Sequence, residues 1–180
     1  MCYNLPMIEL LILYILDKHS FTMYGISKEI QNIFAVYTAP SFGSIKPALR
    51  KLEFEDYISS NKVMSDGGKL SVFYSITKKG EKELKILIKK ELSNNPVQFI
   101  QNAKIKLSMA DLLDFQDRAE LFLHIKTLAQ THKRSAENIL NNDYIKKNFY
   151  QRILLDNSIV SYSNFITLVE GLEKDNAGNR

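Results

Sequence analysis

The chain has 180 residues, enough for one medium domain or two small ones, and it is 45% apolar and 24% charged. Seven glycines and four prolines are about half the usual share, so the composition is globular and helix-leaning and excludes disordered and fibrous classes. The net charge of +4 permits an anionic partner without demanding one, and the excess lies in the first half: 13 Lys/Arg against 10 Asp/Glu over residues 1–92, then 11 against 10.

The first pattern runs through Met7, Ile8, Leu10, Leu11, Tyr14 and Ile15. It is helical in spacing but so densely apolar that the helix must be almost wholly covered, the hub of a first core. The stretch Leu5 to Leu16 has no basic residue before it, carries Glu9 and lacks a small-residue cleavage site. It reads as neither a leader nor a membrane span. A second, amphipathic helix follows from Tyr24 to Phe34, with Ile26 and Ile30 on its apolar face. The run Thr38-Ala39-Pro40-Ser41 breaks the pattern, and Ile45, Ala48, Leu49 and Leu52 restart it as a third helix. Ser44 is the expected N-cap, which leaves Pro47 in a first turn that has no use for its missing N–H.

From Tyr57 the period becomes alternating, through Ile58 to Val63 and again through Val72 to Ile76, around Asp66-Gly67-Gly68. This predicts a two-stranded hairpin. Thr77 can cap a fourth helix with Leu84, Leu87, Ile88 and Leu92 as its stripe, although Gly80 offers no capping-box partner. Ser93-Asn94-Asn95-Pro96 is the best boundary, dividing the chain into domains 1–92 and 93–180. Helical patterns alone follow: Phe99 to Leu107, about Phe115 to Leu140, and about Tyr144 to Glu173. The fold class is therefore mainly α, a winged helix-turn-helix followed by a helical domain.

Three helices and then a hairpin is the layout in which the third helix enters the major groove of DNA and the hairpin touches the flanking backbone. On the third helix, Pro47, Arg50 and Lys51 fall opposite the apolar face and Lys46 lies at its edge. Lys and Arg suit phosphates and guanine edges, and Ser41 and Ser44 near the helix start are natural phosphate ligands. The same charges also fit an ordinary solvated helix face.

Tyr24-Gly25-Ile26, Pro40-Ser41-Phe42-Gly43-Ser44-Ile45-Lys46-Pro47-Ala48-Leu49-Arg50-Lys51-Leu52-Glu53 and Phe73-Tyr74-Ser75-Ile76-Thr77-Lys78-Lys79-Gly80 resemble the PadR-like family of bacterial transcriptional regulators. The resemblance covers residues 5–92, and the remainder is similar to the family's longer, AphA-like C-terminal dimerisation domain. It implies a homodimer, with repression the expected sign, that binds a palindromic operator in double-stranded DNA through the third helix. Tyr24 then lies near the phosphate backbone and the hairpin is the wing. The family's usual Tyr is Lys46 here, its usual His before Tyr24 is Met23, and its wing cluster is reduced to Lys62 and Lys69.

In the second half Leu155, Ile159, Tyr162, Ile166, Val169 and Leu172 form a seam on the last helix, and Phe122, Ile125, Ala129, His132, Ala136 and Ile139 form one on the helix before it. Phe149, Tyr150, Ile153, Leu154, Val160, Phe165 and Leu168 add more apolar surface than one partner helix covers. The last helix is therefore expected at a dimer interface along its seam. His132 is expected to be a packed residue with satisfied nitrogens, and a dimer-interface pocket lined by Phe and Tyr can accept a small aromatic effector.

One cysteine, Cys2, excludes an internal disulfide, and His19, His124 and His132 lack the spacing of a helical metal site. A reduced, cytoplasmic protein without metal or cofactor is expected. No nucleophile–base pair, paired acids or glycine-rich phosphate loop argues for an enzyme. The alternative to a DNA-binding regulator is a winged-helix adaptor that binds protein only.

Overall fold

The computed structural model of the protein describes residues 5–64, 68, 70–144 and 146–178. Cys2, Lys69 and the Asp66-Gly67 part of the hairpin tip lie outside the described residues. The chain divides into two compact units, residues 1–90 and 91–180.

In the first unit α1 (Leu5–Lys18) is the hub, packed on by α2 (Met23–Phe34), α3 (Phe42–Phe54), α4 (Lys78–Lys89) and a small sheet. Every side chain from Ile8 to Leu16 is buried. The amphipathic helices around it turn their stripes inward: Ile26, Ile30 and Phe34 from α2; Ile45, Ala48, Leu49 and Leu52 from α3; Leu84, Leu87 and Ile88 from α4.

The sheet has three strands, one more than the expected hairpin. β2 (Ile58–Met64) and β3 (Leu70–Ile76) pair antiparallel, from Ile58 opposite Ile76 out to Met64 opposite Leu70. Gly68 in the connection has φ +75°, a conformation that suits glycine. β1 (Phe21–Thr22) adds to the other edge of β3, Phe21 facing Tyr74 and Thr22 facing Phe73. Two residues are too few to show a period, so the sequence pattern gives no sign of this strand. Thr22 then caps α2, its Oγ1 accepting from the Gly25 amide at 3.2 Å.

Thr77 caps α4 as expected, its Oγ1 accepting from the Gly80 amide at 3.1 Å and donating to the Asp56 carbonyl at 2.7 Å. Gly80 has a reason that the capping-box pattern cannot supply. A Cβ built there meets the Tyr57 carbonyl oxygen at 2.0 Å, so the start of α4 lies against the α3–β2 turn only with glycine in that place.

The second unit contains α5 (Pro96–Leu107), a 3₁₀ turn (Ala110–Leu112), α6 (Phe115–Leu140) and α7 (Phe149–Gly178). The α6 bounds match the sequence pattern; α7 begins at Phe149 rather than Tyr144. Asp114 caps α6, accepting from the Asp117 amide at 2.8 Å. α6 and α7 pack antiparallel: Arg118 Nε donates to buried Asn176 at 2.9 Å, Lys126 pairs with Glu173, and His132 stacks on Tyr162.

Candidate nucleic-acid interface

The recognition surface starts at Ser41, which is the N-cap of α3 in place of the expected Ser44. Its carbonyl accepts from the Ser44 and Ile45 amides at 3.0 and 3.1 Å, whereas its hydroxyl makes no capping bond. Ser44 Oγ donates to the Ser41 carbonyl at 2.8 Å. Starting three residues earlier puts Pro47 in the helix interior rather than the first turn. The proline supplies no N–H to the Gly43 carbonyl, and this missing bond lies on the solvent side, where water can replace it.

Lys46, Pro47 and Arg50 are exposed, as is Ser41, and Ser44 is half-buried. Lys46, Pro47 and Arg50 lie on the side of α3 away from Ile45 and Leu52, and the two serines lie at its start. From Ala35 to Leu52 the sequence has no acidic residue. The first acid of α3, Glu53, accepts from Ser60 Oγ on β2. Tyr24 is exposed at the start of α2, its ring stacked on that of Phe42 with centroids 6.2 Å apart. Lys62 is exposed on β2.

Lys51 is a correction. It was placed with the outward cations, yet its Nζ donates to both carboxylate oxygens of Glu9 at 2.8 and 3.0 Å. Lys51 lies on the flank of α3 next to Ala48, within reach of α1 for a long side chain. Glu9 is only 5% exposed and needs the counter-charge. The hydrogen bond to Glu9 is the main cause holding the Lys51 pKa above its usual 10.5, with burial pulling the other way. A lone acid inside the apolar run Leu5–Leu16 was the available signal. Phe42 was missed because a helix begun at Ser44 leaves it outside.

The seam on α7 needs a second correction. Val169 and Tyr162 are buried within the chain itself, and Leu155, Ile159, Ile166 and Leu172 are half-buried on the side turned to α6. That seam is the intrachain face. Phe149, Tyr150, Ile153, Val160 and Leu168 are exposed, on the outer side of the helix.

His132 packs in a cluster with Phe99, at 4.9 Å between ring centroids, and with Tyr162, at 5.6 Å. Burial lowers its pKa from the usual 6.5. Its Nε2 has no hydrogen-bond partner among the described residues, contrary to the expected satisfied histidine. Beside it is an open cavity of about 390 Å³ within the second unit, walled by Pro96, Ala136, Leu155 and Tyr162. Among the described residues no helix is long and apolar enough to cross a membrane.

Residues 12–86 match the model of the transcriptional regulator PadR-like family, a family of regulators rather than enzymes. No curated protein matches the chain significantly. Among solved structures, the chain is similar to Bacillus subtilis PadR in complex with operator DNA, at 18% identity, covering 92% of this chain and 96% of that one, with a TM-score of 0.45. It is similar to smu.1704 from Streptococcus mutans UA159 at 34% identity, covering 49% and 81%, TM-score 0.42. A PadR family transcription regulator from Clostridium difficile R20291 is 28% identical over 44% of this chain and 80% of that one, TM-score 0.39. The family model ends at residue 86, so the AphA-like character of the second unit rests on the sequence resemblance alone.

The ion pair generates a measurable expectation. Lys51→Met leaves the Glu9 carboxylate buried without its counter-charge, and the first unit is expected to lose about 1–3 kcal/mol, discounted because 41% of the Lys51 side chain meets solvent. Adding Glu9→Gln should recover part of that loss in chemical denaturation. Folding raises the Lys51 pKa, so the pair's contribution is complete below pH 10.5 and is lost as pH rises through the folded value. Half-buried Tyr57 is raised too, chiefly by desolvation, but it is common to both proteins. Wild type should therefore lose more Tm above pH 10.5 than the double variant, and equal losses would refute the pair's role.

Proposed function

The chain belongs, through residues 12–86, to the PadR-like family of transcriptional regulators, and we propose that it is a homodimeric cytoplasmic repressor without catalysis that binds a palindromic operator through α3. The observation that carries this is the outward face of α3, where Lys46 and Arg50 flank Pro47 beside the Ser41 and Ser44 hydroxyls, with no acid before Glu53. An N-terminal stretch of a helix with cations and hydroxyls and no acid suits a polyanion. Tyr24 and Lys62 are assigned to the flanking backbone, and Lys69 to the wing tip. Lys51 is left out, since Glu9 occupies its charge.

Arg50→Ala should weaken operator binding by about 1–3 kcal/mol per half-site and relax preference at one base pair, because a bidentate Arg reads guanine N7 and O6. Lys46→Ala should weaken operator and random duplex alike and lower the salt slope by about one per half-site. Mobility shifts across a salt series read both. Salt-independent or absent binding would favour the protein-binding adaptor instead.

The dimer is assigned to the outer face of α7. Phe149, Tyr150, Ile153, Val160 and Leu168 leave more apolar surface in water than a monomer usually tolerates, and a two-fold axis would set two α3 helices about 34 Å apart on one DNA face. Sedimentation at micromolar concentration should give twice 20.7 kDa. Ile153→Asp with Val160→Asp should give a folded monomer, since both positions are exposed in the single chain. A wild-type monomer would end this assignment.

The aromatic effector is assigned to the cavity beside His132. Its apolar wall suits a ring, and the Thr131 and Ser158 hydroxyls among its lining can accept one polar contact. A simple phenol should raise the Tm of the wild type and not that of Ser135→Phe, which fills the cavity from an exposed position. No shift at millimolar phenol would count against the pocket.

A further inference from the structure

Phe42 and Tyr24 are an aromatic pair outside the core. Phe42 is the first residue of α3 and Tyr24 the second of α2. Their rings are within 13° of parallel, yet 46% of Phe42 and 68% of Tyr24 remain exposed. Neither residue belongs to its helix's buried stripe, which is Ile26, Ile30 and Phe34 on α2 and Ile45, Ala48, Leu49 and Leu52 on α3. Two rings that cover part of each other while leaving the rest in water favour a surface that covers them.

The surroundings select that surface. Ser41 precedes Phe42, and Ser44, Lys46 and Arg50 follow it along α3, in a stretch from Ala35 to Leu52 with no acid. The surface that closes over Phe42 is therefore anionic at its rim and apolar at one point. Duplex DNA offers one such point in its major groove, the C5 methyl of thymine, and a phenyl ring is among the groups that pack on it. Phenylalanine has no polar atom with which to read anything else there. The Tyr24 ring limits where the Phe42 ring can swing, which reduces the ordering cost on binding.

We propose that Phe42, braced by Tyr24, determines operator specificity by packing on one thymine methyl in each half-site. The proposal rests on the DNA-binding reading above and adds the base and the atom.

The test uses the full-length protein and an operator recovered by selection from random duplexes. Each thymine of one half-site is replaced in turn by deoxyuridine, which removes the methyl and keeps the pairing edge. For the wild type, one position should lose about fourfold in affinity, the worth of one buried methyl group. Phe42→Ala should bind the thymine operator more weakly and show no further loss at that position. Phe42→Leu should retain part of the discrimination, Tyr24→Phe should retain it, and Tyr24→Ala should reduce it. Thermal unfolding of each variant distinguishes a lost contact from a lost fold. The proposal is overturned if the deoxyuridine loss persists in Phe42→Ala, if no thymine position matters, or if folded Phe42→Ala binds like wild type. Failure of the wild type to select any duplex would instead overturn the DNA-binding reading itself.

Discussion

Glu9 is the only charge in the stretch of α1 that the first unit buries completely, and its bond to Lys51 determines how α3 sits against that helix. A buried carboxylate without a partner costs several kcal/mol, as much as one or two buried leucines contribute. The apolar stripe Ile45–Leu49–Leu52 defines the side of α3 that faces inward. A stripe alone tolerates some rotation, because neighbouring apolar side chains can exchange places at small cost. Two bonds from one ammonium to one carboxylate tolerate much less. With Lys51 held on one flank, Pro47 and Arg50 point outward. Glu53, bonded to Ser60, ties the last turn of the same helix to β2. The exposed face of α3 is thus a consequence of what its flanks are attached to.

The same logic explains a proline in a helix interior. Pro47 withholds a hydrogen bond from the Gly43 carbonyl, and in a buried helix that loss would be severe. Both residues face solvent, so the carbonyl can be hydrated, and the rigid ring stiffens the backbone between Lys46 and Arg50. Gly43 brings no side chain of its own to the outer face, leaving the first turn to Phe42 and the two serines.

Long, strongly periodic elements were legible from the sequence, because many residues vote on one phase. The bounds of α6 agree at both ends, and α1 stands out by its apolar density. What was not legible depended on single residues or on tertiary partners. Ser41 and Ser44 are chemically equal candidates for a cap, and only the path of the chain out of Pro40 decides between them. β1 is two residues long and exists because β3 offers a free edge. On α7 both an inner and an outer apolar face are present, and periodicity cannot say which one α6 occupies. The fixed points of contact, Asn176 with Arg118 and Tyr162 with His132, lie 58 and 30 residues apart in sequence.

The sparse charge has consequences of its own under the DNA-binding reading. With Lys51 committed to Glu9, each protomer presents Lys46, Arg50 and Lys62 among the described candidate contacts, a small number of phosphate-neutralising groups. Affinity for duplexes of arbitrary sequence scales with that number through counterion release, so it stays low. Discrimination then falls to contacts that sense base identity, and a hydrophobic contact has an advantage in that role. Burying a methyl group releases no counterions, so its share of the binding energy is nearly independent of salt, whereas the lysine share shrinks as salt rises. A protein with few cations and an exposed aromatic group beside them therefore gains selectivity, relative to nonspecific binding, as ionic strength increases.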